Sequence, residues 1–165
     1  MQVMAGEPVT AEALARDLHT VMAHIFRRSG PQYYALVEEL DLSITQIKAL
    51  HFLESREHDA SVRELAELLG LSVPATSRTV EALLRRDYLE RREDEHDRRV
   101  KRVRLSPAGR GVTAALNDAR LAGLEEFAGS LSERERSRLS GALVSLLARE
   151  DIAACRSSEA CRPRP

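Results

Sequence analysis

Apolar positions recur at spacings of three and four along most of the chain and fall in short bounded runs only between residues 88 and 105. That pattern predicts a mainly α fold with one small hairpin. Thr10 opens the first helical pattern, in which Leu14, Leu18, Val21, Met22, Ile25 and Phe26 share a face until Gly30-Pro31 interrupts it. Beyond the break, Tyr34, Val37 and Leu40 form a second short helix or the continuation of a kinked long first one. Ser43 with Gln46 three residues on makes a capping box and predicts a helix over 44–56, with Ile44, Ile47, Leu50 and Leu53 on one side. Ser61 with Glu64 repeats the device ahead of Val62, Leu65, Ala66, Leu68 and Leu69, and Gly70 stops that helix. Only Leu71 and Ser72 precede the next run, VPATSRTVEALLRRDYL, whose inward positions are Val80, Leu83 and Leu84. A tight helix-turn-helix follows.

Tyr88 to Arg92 and Val100 to Leu105 read as two strands joined by the charged turn EDEHDR, a two-stranded β wing. Ser106-Pro107 has the cap-then-proline order of a helix start and leads into Val112, Leu116, Ala119, Leu124 and Phe127. Ser132 with Glu135 opens a last helix carrying Leu139, Leu143, Leu146 and Leu147. Residues 154–165 read as disordered. The chain of 165 residues suits one domain with its own core. Its apolar stripes at 12–26 and 107–147 are too extensive for one small winged domain to cover, and so point to a partner surface.

Composition narrows the function classes. With 43% hydrophobic and 31% charged residues the chain reads as a soluble folded protein, and 4% aromatic content without Trp suits a Leu/Ala-rich helical core. No run of about 18 apolar residues and no secretory leader pattern occur, which predicts a cytoplasmic address and no membrane partner. Catalysis would need a nucleophile–base pair, a Gly-rich phosphate loop or convergent carboxylates at usable spacing, and none is present. No metal and no cofactor are expected: His19 and His24 lie on different helical faces, and His51 and His58 are separated by a helix end. The two cysteines, Cys155 and Cys161, sit in a polar tail.

Net charge of −1 hides a regional asymmetry. Residues 1–60 carry 5 Lys/Arg against 9 Asp/Glu, whereas residues 85–104 carry 9 against 6, with 7 of the 9 in 91–104. A local basic field of this kind is what phosphate contact needs, while a solvated, salt-bridged hairpin is the alternative. In a helix-turn-helix the second helix offers its N-terminal side chains to base edges in a major groove about 12 Å wide. Here those positions are Ser72, Ala75, Thr76, Ser77 and Arg78. Hydroxyls suit several bases or phosphate, and Arg78 suits a guanine, unless it merely pairs with Glu81 or Glu64. At the hairpin tip Asp97 is placed to orient an arginine, Arg99 to enter a narrow minor groove, and Arg98, Lys101 and Arg102 to contact phosphates.

The stretch DYLERREDEHDRRVKRVRLSPAG resembles the wing signature of the MarR (multiple antibiotic resistance regulator) family, with its DRR-type tip. LDLSITQIKALHFL and SVRELAELLGLSVPATSRTVEALLRRDYL resemble that family's second helix and helix-turn-helix. The resemblance implies a winged helix-turn-helix over 44–105, flanked by an N-terminal dimerisation segment (10–43), C-terminal dimerisation helices (106–150) and a flexible tail (151–165). It implies a homodimer, a double-stranded DNA partner with a palindromic operator, and a transcriptional repressor released by a small aromatic or phenolic effector. His19, Met22, Phe26, Tyr33, Tyr34, His51 and Phe52 are the candidate pocket residues, core packing being the alternative. The oxidation-sensing branch uses a cysteine in the first helix, and this chain has Tyr33-Tyr34 but no cysteine before Cys155. A thiol-responsive regulator and a winged-helix protein-interaction module that never touches DNA are the rival readings.

Overall fold

In the computed structural model, which describes residues 9–56, 58–94 and 100–157, the N-terminal stripe folds as a single helix, α1 (Ala11–Glu39). There follow α2 (Ile44–Glu54), a two-residue strand β1 (Ala60–Ser61), α3 (Val62–Leu69), α4 (Val73–Arg85), and the hairpin strands β2 (Leu89–Glu93) and β3 (Lys101–Leu105). The chain continues as α5 (Pro107–Ser130), α6 (Glu133–Leu147) and α7 (Glu150–Ser157).

Local chemistry sets most helix starts. Ser43–Gln46, Ser61–Glu64 and Ser132–Glu135 each close a capping box, with the serine side chain and the residue three on satisfying one another's backbone N–H. Gly70 ends α3 at φ 65°, a left-handed conformation that glycine takes without strain.

Three elements depart from the sequence expectation. Pro31 lies inside α1 without ending it, although a proline there removes a helix hydrogen bond at a cost of about 3 kcal/mol. Packing on α5 carries the helix through the defect: Arg28 pairs with Glu126 at 2.9 Å, and the Arg120 guanidinium donates to Tyr33 Oη at 2.9 Å. β1 adds a third strand, so the antiparallel sheet runs β1-β3-β2 with Ala60 opposite Val103 and Leu89 opposite Leu105. α7 occupies the first part of the expected tail.

The core sits where α2, α3, α4, the sheet and the start of α5 meet. Leu50, Leu65 and Leu83 are fully buried there with Val80, Val103 and Leu116, each side chain contributing about 1.5–3 kcal/mol of burial. Outside it the picture reverses. α6 buries no residue, and α1 exposes Leu14, Leu18, Val21, Met22 and Phe26. Among the described residues no helix is long and apolar enough to cross a membrane, and no His/Cys/Asp/Glu group could hold a metal ion.

Candidate nucleic-acid interface

The turn between α3 and α4 places the start of α4 at the surface. Ser72 caps α4, accepting from the Ala75 N–H at 3.4 Å, and Ser72 and Arg78 are exposed while Ala75 and Ser77 are half-buried. Arg78 forms no ion pair among the described residues: Glu81 is taken by Arg91, and Glu64 by Arg56 at 3.2 Å. Thr76 differs from the sequence expectation. It is fully buried, and its hydroxyl donates to the Ser72 carbonyl at 3.1 Å, so it packs α4 onto the core instead of offering a group outward. The signal was its spacing, since Thr76, Val80 and Leu83 follow the inward steps of four and three.

The hairpin strands carry cross-strand ion pairs near both of their ends. Lys101 meets Glu93 at 2.6 Å, and Arg104 Nε donates to Glu90 at 2.9 Å, holding the Glu90 carboxyl below its usual pKa. Arg102 is not a spare cation. Its guanidinium bonds Asp94, which raises its pKa further, and reaches the Asp59 carbonyl at 3.0 Å and Glu64 at 3.6 Å. Distant residues of the fold already use its donors, so a phosphate contact by Arg102 would have to compete with these bonds. Arg91 on β2 bonds Glu81 on α4 and so ties the wing to the helix beside it. Arg92 is exposed and forms no ion pair among the described residues. Asp97, Arg98 and Arg99 lie outside the described residues.

Residues 40–100, the stretch from the end of α1 to just before β3, match the family model described as MarR family. This segment belongs to the MarR family. Solved structures agree on the fold. Mycobacterium tuberculosis RV1404 superposes with a TM-score of 0.69 at 23% identity, over 88% of this chain and 98% of that one. A variant of Staphylococcus aureus MepR bound to an oligodeoxyribonucleotide gives a TM-score of 0.63 at 20% identity, over 79% and 96%. MepR bound to ethidium bromide gives 0.61 at 20% identity, over 79% and 94%. At these identities the likeness establishes the fold.

Two open cavities lie beside α1, the first between α1 and α5 and the second between these helices and the winged segment. One, of about 580 Å³, is lined by Met22, Ile25, Phe26, Gly30, Tyr33, Tyr34, Arg120 and Leu124. The other, of about 790 Å³, runs from Tyr33, Tyr34 and Arg120 past Val37, Ile47 and Lys48 to His51, Phe52, Ser55 and Leu69. Six of the seven candidate pocket residues thus gather here. His19 does not: it is exposed on α1 and lines neither cavity, being one turn too early. Arg120 was missed, though it sits four residues from both Leu116 and Leu124, a charge on an inward stripe. It also lies over the Tyr33 ring, 4.9 Å from the centroid.

Behind the second cavity is a buried polar cluster. Glu54 is bonded to His51 Nδ1 at 3.3 Å and accepts from Asn117 Nδ2 at 3.4 Å. Burial alone would raise the Glu54 pKa, yet hydrogen bonds with His51, Thr113 and Asn117 hold it below the usual 4.5. The other ring nitrogen of His51, Nε2, is buried with no hydrogen-bond partner among the described residues.

Proposed function

We propose that this chain is a sequence-specific double-stranded DNA-binding transcription regulator that works as a homodimer on a palindromic operator. The observation that carries the reading is the start of α4, where exposed Ser72, half-buried Ser77 and an exposed Arg78 with no ion pair among the described residues lie beside a wing tied to the same helix through Glu81 and Arg91. Ala75 keeps that surface low enough for a base edge to approach. Lys101 supplies a phosphate contact from the wing, and Arg98 and Arg99, oriented by Asp97, enter on the sequence alone. The MepR complex with an oligodeoxyribonucleotide supports the reading through its shared fold.

The exposed apolar stripes of α1, α5 and α6 are the proposed dimer surface. Repression is the proposed mode, with release by a small aromatic molecule that fills the cavities around Tyr33, Tyr34 and Phe52. Release needs a ligand that favours one of two helix arrangements. The complex of MepR with ethidium supports a ligand site in this fold.

The test is selection of duplexes from a randomised pool by the full chain, followed by anisotropy titration. Arg78→Ala is expected to weaken the selected duplex by about 1–3 kcal/mol, and affinity is expected to fall steeply with salt. Failure to enrich any duplex, or a flat salt response, favours the protein-interaction reading instead.

A further inference from the structure

α1 and α4 end in the same way. Asp41 stands at φ 45° and Asp87 at φ 59°, both left-handed, and in each case the next residue reaches back five positions: Leu42 N–H to the Val37 carbonyl at 3.2 Å, Tyr88 N–H to the Leu83 carbonyl at 3.0 Å. A helix terminated like this still leaves its last carbonyls without helical donors. At the end of α1 a residue from the end of α4 supplies them. The Arg86 guanidinium donates from Nη1 to the Asp41 carbonyl at 2.7 Å and from Nη2 to the Leu40 carbonyl, and it lies 5.2 Å from the centre of the Tyr88 ring.

The other side of that corner holds α5. The Ser106 hydroxyl donates to the Asp87 carbonyl, the Ser106 N–H donates to the Tyr88 carbonyl at 3.1 Å, and Ser106 is buried. A Cβ at Gly109 would stand 2.0 Å from the Tyr88 oxygen, so the first turn of α5 lies directly on this carbonyl. The three residues 86–88 therefore join the end of α4 to both long helices that carry the exposed apolar stripes.

We propose that Arg86 is a positioning residue that fixes the angle of α4 relative to the dimer frame and thereby sets the half-site spacing the dimer accepts. The inference rests on the DNA-binding reading. Two parallel N–H donors on adjacent carbonyls fix direction as well as distance, which a single ammonium does not. The Asp41 carboxylate, 3.9 Å away and almost fully exposed, adds little. With the α5 contact intact and the guanidinium gone, α4 stays attached at one side and becomes free to tilt at the other. Moving a half-site by one base pair rotates it by roughly one tenth of a turn, so a tilting helix tolerates spacings that a fixed one rejects.

The experiment uses the full chain and a palindromic duplex enriched by the wild type, together with two duplexes whose half-sites are moved apart or together by one base pair. The wild type is expected to prefer the enriched spacing by about tenfold or more. Arg86→Ala is expected to bind the enriched duplex about tenfold less tightly and to discriminate among the three by about threefold or less. Arg86→Lys should fall between, and it carries the same test if the alanine variant does not hold a folded dimer by light scattering and circular dichroism. A folded, dimeric variant that keeps the wild-type discrimination, or that loses affinity equally on all three duplexes, overturns the proposal. If the wild type enriches no duplex, the DNA-binding reading itself has failed.

Discussion

The winged segment and the helices that flank it are built from similar residues and end in opposite states. Leu50, Leu65 and Leu83 disappear into a core shared by five elements, whereas Leu18 on α1 and Leu139, Leu143 and Leu146 on α6 stay in contact with water. The capping boxes are equally good in both regions, at Ser61 and at Ser132. Good local chemistry therefore makes a helix in either place, but the winged segment buries its apolar face within the chain, whereas α1 packs on α5 along only part of its stripe and α6 buries nothing. The flanking helices are ordered elements that keep an apolar surface exposed, which is what the proposed dimer would cover.

The same substitution placed in each region should separate them. Leu50→Ala is expected to cost about 2–5 kcal/mol at any protein concentration, measured by urea unfolding. Leu143→Ala should cost little in dilute solution and more as concentration rises. A sharper break is Leu18→Lys with Leu143→Lys, which should weaken self-association at least tenfold, about 1.4 kcal/mol or more, by sedimentation, while leaving the hairpin and core intact. A monodisperse dimer of unchanged affinity would refute the proposed surface. Arg91→Ala removes the tie between wing and α4. Because both partners are partly exposed, its stability cost should be only about 0.2–1 kcal/mol, so any larger effect should appear in DNA affinity.

The smallest expected effect is on the acid side. The Glu54 pKa in the fold lies below the usual 4.5, so its contribution is present above that pH and is lost as pH falls through the lower native value. The gap in urea midpoint between the wild type and Glu54→Gln should thus narrow from pH 7 toward pH 3. A gap that widens would mean that the cluster holds the neutral acid.

Legibility in the sequence followed the range of the interactions. The caps at Ser43, Ser61 and Ser132 involve residues three apart, and each was readable before any fold was known. β1 was not, because two residues show no alternation and their partners, Arg102 and Val103, come about forty positions later. Pro31 carried a strong local stop signal that packing on α5 overrode. The start of α4 was readable as a helix end but not face by face, so buried Thr76 was grouped with exposed Ser72 and Arg78. The partners of Arg102 were hidden for the same reason as β1: Asp59 and Glu64, which help to hold it, lie about forty positions earlier in the chain.

Lys101 shows what such pairing means for a charged partner. Glu93, 2.6 Å away, is a counter-ion that the protein carries with it. In the proposed DNA complex, a phosphate that draws the ammonium away would release a cation condensed on the DNA but leave Glu93 without its counter-ion. That exchange is nearly silent in the ionic-strength dependence of binding. In that reading the salt slope is carried by cations that form no ion pair among the described residues, and it understates the number that approach the backbone.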